Sequence, residues 1–237
     1  MIESGRRERV ELLTPREIIE LLSAQYGDLP HRPRRDPLDE LVLGVLSQNT
    51  SDVNSDRAFA QLKRAFPTWQ SLVEAPASQV EDAIRPGGLA PTKSLRLKAM
   101  LAEVLRRRGS FNLSFLRDMP LEEAESWLGS LPGVGPKTAA VVLLFSLGRP
   151  AFPVDTHVHR VLLRLGLAPE RASATQVQAM WEPRLAPDEV HPFHLYLILH
   201  GRRTCVARRP RCPACSLRHR CPSATVYHPG LAAAVAP

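Results

Sequence analysis

The chain has 237 residues, 44% of them hydrophobic and 23% charged, which suffices for one large domain or two small intimate ones. There is no run of eighteen apolar residues, and MIESGRRERVELLTPRE lacks an apolar h-region, which argues against a membrane span or a signal peptide and leaves the cytoplasm, or the nucleoid of a bacterium, as the expected location. A formal charge of +7 and a pI near 9.7 imply a polyanionic partner.

In chain order, helix signals dominate. Thr14-Pro15-Arg16-Glu17 is a capping box with proline at the first helical position. Asp36-Pro37 starts a second helix through Leu41, Val42, Val45 and Leu46. Ser51 or Asp52 opens a third, ending near Phe66-Pro67. Lys93, Arg96, Lys98, Arg106, Arg107 and Arg108 form a basic stretch on a further helix, opposed only by Glu103; it reads equally as a DNA face and as a solvated one. Pro120 precedes LEEAESWLGS, whose acids sit in the first turn, where the helix dipole favours them. Ser173-Ala174-Thr175-Gln176 is another capping box, and His191-Pro192 leads into FHLYLILHGRRTC. Strand alternation with hairpin turns is absent. The pattern predicts an all-α protein of about ten helices, with a disordered Ala-rich tail over 226–237.

Leu131-Pro132-Gly133-Val134-Gly135-Pro136-Lys137-Thr138 joins two helices. Its glycines permit positive φ and close backbone approach, so the turn can grip a DNA phosphate through backbone N–H groups. Lys137 lies one residue into the following helix. It reads either as a phosphate contact or as a nucleophile. An amine attacks carbon only in its neutral form, which a helix N-terminus and neighbouring arginines favour. Asp155 reads as the N-cap of a helix ending near Gly166. A helix over 136–147 would be roughly 18 Å long, and the extended segment after it spans about 23 Å, so the chain can return Asp155 to the start of the Lys137 helix. His157 and His159, beside that helix start, read as structural.

Cys205, Cys212, Cys215 and Cys221 form C-x6-C-x2-C-x5-C in a segment with seven arginines and no acid between Gly201 and Cys221. Four thiols so close point to a metal site rather than to disulfides, with zinc and an iron–sulfur cluster both compatible. Arg208, Arg209 and Arg211 lie between the first two, as a metal-pinned basic loop suited to DNA.

LPGVGPKTA, VDTH with its aspartate eighteen residues after Lys137, and the cysteine pattern in its basic context together resemble endonuclease III, of the helix–hairpin–helix DNA glycosylase superfamily with a [4Fe-4S] cluster. LSQNTSD at 46–52 and LHGRRTCVARRPRC at 199–212 are similar too, and the likeness runs from about Thr14 to Cys221. The resemblance implies two helical lobes holding double-stranded DNA between them, in a monomer. A six-helix barrel with the helix–hairpin–helix motif would cover 36–150, and an iron–sulfur cluster lobe would combine 14–35 with 151–225. Lys137 would attack C1′ of the damaged nucleotide, giving a Schiff base and then β-elimination. Asp155 would assist the lysine and stabilise charge on the sugar. The four cysteines would hold the cluster, which positions the basic loop. Leu131, Gly133, Val134, Gly135 and Thr138 would form the DNA-gripping turn. Asn49 and Leu89 would fill the hole left by a base taken out of the stack.

The implied substrates are oxidised pyrimidines and abasic sites. Adenine-specific relatives carry serine at the lysine position and a catalytic glutamate where this chain has Gly44; thymine-mismatch relatives carry tyrosine at the lysine position. Gly129, Gly87 and Pro136 depart from the family pattern. An abasic-site lyase with little glycosylase activity, a non-catalytic DNA-binding protein and a redox-switched binding protein are the competing readings.

Overall fold

Side-chain caps set where the helices begin. Thr14 and Glu17 form the reciprocal capping box of α1 (Pro15–Tyr26). Asp36 caps α2 (Pro37–Leu46), and Ser51 caps α3 (Asp52–Ala65). Then follow α4 (Trp69–Glu74), α5 (Ala77–Ile84), α6 (Ala90–Arg108), α7 (Leu121–Gly129) and α8 (Pro136–Val141). Asp155 caps α9 (Thr156–Arg164), and Ser173 with Gln176 closes a second capping box on α10 (Ala174–Trp181). The last two are α11 (Pro187–Arg203) and α12 (Ser223–Tyr227). The computed structural model describes residues 12–29 and 34–231, among which there is no strand, so the all-α expectation holds. Among these residues two more helices occur than the sequence suggests, twelve against about ten, because short pieces such as α4 and α12 carry too few turns to show a period.

The chain divides into two compact units, residues 32–153 and residues 1–31 with 154–237. In the first unit α2 is the central element. Leu38, Leu41, Val42, Val45 and Leu46, spaced as one apolar stripe, are all fully buried, and Glu40, Leu43 and Gly44 are buried too, so the helix is enclosed well beyond that stripe. Burying each such side chain contributes about 1.5–3 kcal/mol. Leu62 of α3, Val80 and Ile84 of α5, Leu97, Met100, Leu101 and Val104 of α6, and Leu128 of α7 complete the core around it. Helix α8 packs on α2 at Gly44, where an added Cβ would fall 2.7 Å from Thr138 Cγ2.

Helix α8 corrects the expectation of one continuous α-helix to 147: it ends at Val141 and continues as a π-helical turn over Val142–Ser146. The widened turn ends where Arg149 N–H donates to Leu143 O at 2.8 Å. Arg149 NH1 then donates to the carbonyls of Leu116, Arg117 and Met119, tying the following turn to the segment before α7.

The basic stretch on α6 is divided. Arg96, Arg106, Arg107 and Arg108 are exposed, whereas the two lysines turn to internal partners. Lys93 is 1% exposed. Lys98 caps the end of α4 by donating to the carbonyls of Leu72, Val73 and Ala75. Arg106 and Arg107 pair with Glu103, and Arg108 lies over the Phe115 ring.

In the second unit α1 and α9 pack on α11. Tyr26 OH bonds Thr204 Oγ1 at 2.7 Å and His200 Nδ1 at 2.9 Å, and Tyr196 OH donates to Gly27 O at 3.0 Å. Helix α11 starts at Pro187, not after Pro192, which lies inside it. Pro187 supplies the favoured first-position proline and Glu189 accepts from Ala186 N–H at 3.3 Å, so the start signal stands one turn earlier. Residues 226–231, expected in the tail, carry structure: α12 runs to Tyr227 and His228 Nε2 lies 2.8 Å from Pro210 O. Residues 232–237 of that tail lie outside the described residues.

Candidate active site and DNA interface

Buried anchors hold the turn between α7 and α8. Leu131 and Val134 are 2% and 7% exposed, and Val134 N–H closes the turn on Leu131 O at 3.1 Å. Gly133 has φ +79°, and a Cβ there would meet Arg96 Cδ at 3.2 Å, so the glycine answers both a backbone and a space requirement. Gly135 precedes Pro136 as the half-buried N-cap of α8. Lys137 follows, exposed, while its neighbour Thr138 is buried against Gly44. The turn thus sits on a fixed base and presents the lysine outward.

Two more loops of this unit carry sequence-predicted residues. Asn49 is exposed with φ 54°, in the turn between α2 and α3. Leu89 is the N-cap of α6, 57% exposed, with φ 51°. Both backbones are left-handed, which asparagine tolerates and leucine does not. Gln48, which sequence reasoning passes over, links the first loop to the turn: its Nε2 donates to Gly133 O at 2.9 Å, and its Oε1 accepts from Arg96 NH1 at 3.3 Å. LSQNTSD draws attention to this segment, yet nothing in it distinguishes the bonding partner of Gln48 from that of Asn49.

In the second unit, Asp155 Oδ1 accepts from His157 N–H and Val158 N–H, both at 2.8 Å, which is the expected N-cap. His159 Nε2 lies 2.7 Å from Ala172 O, and His157 Nδ1 is 3.2 Å from Arg160 NH2, so both histidines have structural partners. Cys205, Cys212, Cys215 and Cys221 are free thiols lining one cavity together with Arg164 and His200. Arg164 NH1 donates to Cys205 Sγ at 3.4 Å, and His200 Nε2 lies 3.7 Å from Cys215 Sγ. Burial pushes the Cys215 thiol up to about 12 and raises those of Cys212 and Cys221. Among the described residues no three Cys, His, Asp or Glu side chains converge on a point suited to one metal ion. Arg208, Arg209 and Arg211 are all exposed on the loop between the first two cysteines. Arg218 and Arg220 are turned to internal partners, Pro213 O and Glu17. Among the described residues no helix is long and apolar enough to cross a membrane.

A helical unit with a glycine turn before an exposed lysine, and a basic cysteine-bearing unit, agree with comparisons to known proteins. Residues 42–187 match the family model of the HhH-GPD superfamily base excision DNA repair protein, and the chain belongs to that superfamily. Within it, the chain is 36% identical over 181 residues to endonuclease III of Treponema pallidum, covering 76% of this chain and 81% of that one. It is 31% identical over 207 residues to endonuclease III of Escherichia coli, covering 86% and 93%. A putative DNA glycosylase of Arabidopsis thaliana is 41% identical over 166 residues, and the chain spans 56% of its length. A solved non-covalent complex of endonuclease III with DNA superposes with a TM-score of 0.78 at 29% identity, covering 91% of this chain and 98% of that one. Fold and family together define a base excision repair glycosylase of the endonuclease III type.

Proposed function

We propose that this protein is a bifunctional DNA glycosylase and abasic-site lyase that removes oxidised pyrimidines of the thymine glycol type from double-stranded DNA. The observation that carries the reading is Lys137, exposed in the first turn of α8 directly after a turn anchored by buried Leu131 and Val134. Lys137 Nζ attacks C1′; the bond from C1′ to the base breaks and the base departs with a proton. The C1′–O4′ bond then opens, O4′ taking up a proton as the nitrogen lone pair forms the C1′=N imine, and loss of a C2′ proton breaks the C3′–O bond and releases the 3′ phosphate. Asp155 assists the lysine and stabilises positive charge developing on the sugar. The turn 131–135 and Thr138 seat a backbone phosphate, while Arg208, Arg209 and Arg211 contact others. Asn49 and Leu89 fill the stack around the extruded nucleotide.

The donor set of Cys205, Cys212, Cys215 and Cys221 fits a [4Fe-4S] cluster. All four thiols line one cavity, and four cysteine thiolates are the donor set of such a cluster. Such a cluster would supply a rigid cross-link and no covalent step, and the Arg164 guanidinium would donate to the Cys205 sulfur.

Borohydride trapping on duplexes bearing an abasic site or thymine glycol tests the reading. Wild-type protein is expected to trap on both and Lys137→Ala on neither. Trapping on the abasic duplex alone would make the protein a lyase. Binding without trapping on either would refute the enzyme reading. Iron and sulfide analysis of the purified protein is expected to give about four of each per chain; one zinc per chain would refute the cluster.

A further inference from the structure

Lys93 is among the largest fully buried side chains, 1% exposed, one turn into α6. Its Nζ donates to Leu46 O at 2.7 Å and to Gly87 O at 2.8 Å. Its backbone N–H donates to Leu89 O at 3.0 Å. No carboxylate faces it among the described residues, and burial lowers its pKa. A buried cation without an anion costs stability, and an apolar side chain of similar length is the cheaper core residue. Packing therefore does not account for it.

The two carbonyls it joins do. Leu46 O lies at the open end of α2, where carbonyls lack helical partners, three residues before Asn49. Gly87 O ends the 3-10 turn Arg85–Gly87, two residues before Leu89. Asn49 and Leu89 both hold φ above +50° without being glycine. Asparagine tolerates that region, but for Leu89 it costs about 1–2 kcal/mol and persists only where neighbouring structure over-determines it. One ammonium ties together the roots of both loops.

We infer that Lys93 is a positioning residue for base extrusion, holding Asn49 and Leu89 in fixed relation so that both enter the duplex together. The inference rests on the proposed roles of these two residues. It predicts that losing the tie harms excision from duplex, where a hole must be filled, and spares imine chemistry on a single-stranded abasic oligonucleotide, which has no hole to fill.

The test is single-turnover excision of thymine glycol from duplex, and borohydride trapping on single-stranded abasic DNA, for wild type, Lys93→Met, Leu89→Ala and the double variant. Lys93→Met is expected to lower duplex excision about 10- to 100-fold, as a misplacement of about 1 Å does, with single-strand trapping unchanged. In the Leu89→Ala background the same substitution should cost much less, since the two act as one unit. Equal losses on both substrates, or additive effects in the double variant, would overturn the inference. If Lys93→Met does not fold, Lys93→Gln, which keeps a donor, is read in the same way; failure of both to fold would make Lys93 a fold residue and also overturn it. Wild type inactive on both substrates would instead defeat the proposed function.

Discussion

Gly44→Ala perturbs the contact that seats the residue next to Lys137. The new Cβ would fall 2.7 Å from Thr138 Cγ2, about 1 Å inside ordinary carbon–carbon contact. Gly44 and Thr138 are both buried, and α2 is enclosed by the core, so neither helix moves freely. Overpacking of this kind costs about 1–3 kcal/mol. Alanine returns about 1 kcal/mol of helix propensity. The net is a loss of about 0–2 kcal/mol, or up to roughly 8 °C in Tm for a chain of this size. The offending atom is one methyl, since Thr138 Cβ and Oγ1 stand at 3.9 and 4.0 Å. In a Thr138→Ser background the clash is gone, so the same alanine should raise Tm, by about 1 kcal/mol of propensity. Thermal melts of the four proteins read the sign directly. A Gly44→Ala effect of the same size and sign in both backgrounds would refute the close-approach argument. Borohydride trapping on an abasic duplex should fall in Gly44→Ala and recover in the double variant, because Lys137 precedes the displaced threonine.

Gly133→Ala should cost about 1–2 kcal/mol for the left-handed backbone, with duplex affinity falling further than stability because Arg96 lies beneath the turn; unchanged affinity in a gel-shift titration would remove the turn from the DNA interface. Replacing Arg208, Arg209 and Arg211 by alanine should reduce the slope of log affinity against log salt by about 0.9 for each phosphate no longer neutralised, and an unchanged slope would show the loop faces no DNA. The Thr14 backbone N–H, the Arg220 guanidinium and the Thr14 hydroxyl hold the Glu17 carboxyl at about 2, below the usual 4.5. Since the folded value is the lower one, its contribution is complete above about 4.5 and is lost as pH falls towards 2. The Tm gap between wild type and Glu17→Gln should therefore close across that window, and a gap constant down to pH 2 would contradict the assignment.

Features written in a few consecutive residues were legible in the sequence. Thr14, Asp36, Ser51, Asp155 and Ser173 all cap helices where the sequence places caps, because a cap and its acceptors lie within one turn. The motifs around Lys137 and the cysteines led to the family for the same reason. What depends on distant segments was not legible. Lys93 and Lys98 look like members of a solvated basic run, and only the fold brings carbonyls from other elements to their ammonium groups. Nothing local announces that Leu89 adopts positive φ, a conformation imposed by its neighbours, whereas asparagine at position 49 is a residue that tolerates it. The π-helical turn after α8 is likewise invisible in an apolar run whose period fits an α-helix as well.

Lys93, Lys98, Arg149 and Arg164 each donate to main-chain carbonyls. A carbonyl satisfies a donor without cancelling its charge, so these ties organise the protein while leaving it electropositive. They are also poor targets for dissolved ions: carbonyl dipoles are not displaced by counter-ions as a paired surface carboxylate is. Strong salt should then weaken the hold on a polyanion long before it loosens these internal ties. Nucleic acid is expected to leave in concentrated electrolyte while the fold persists, as a circular-dichroism spectrum taken in the same salt would read.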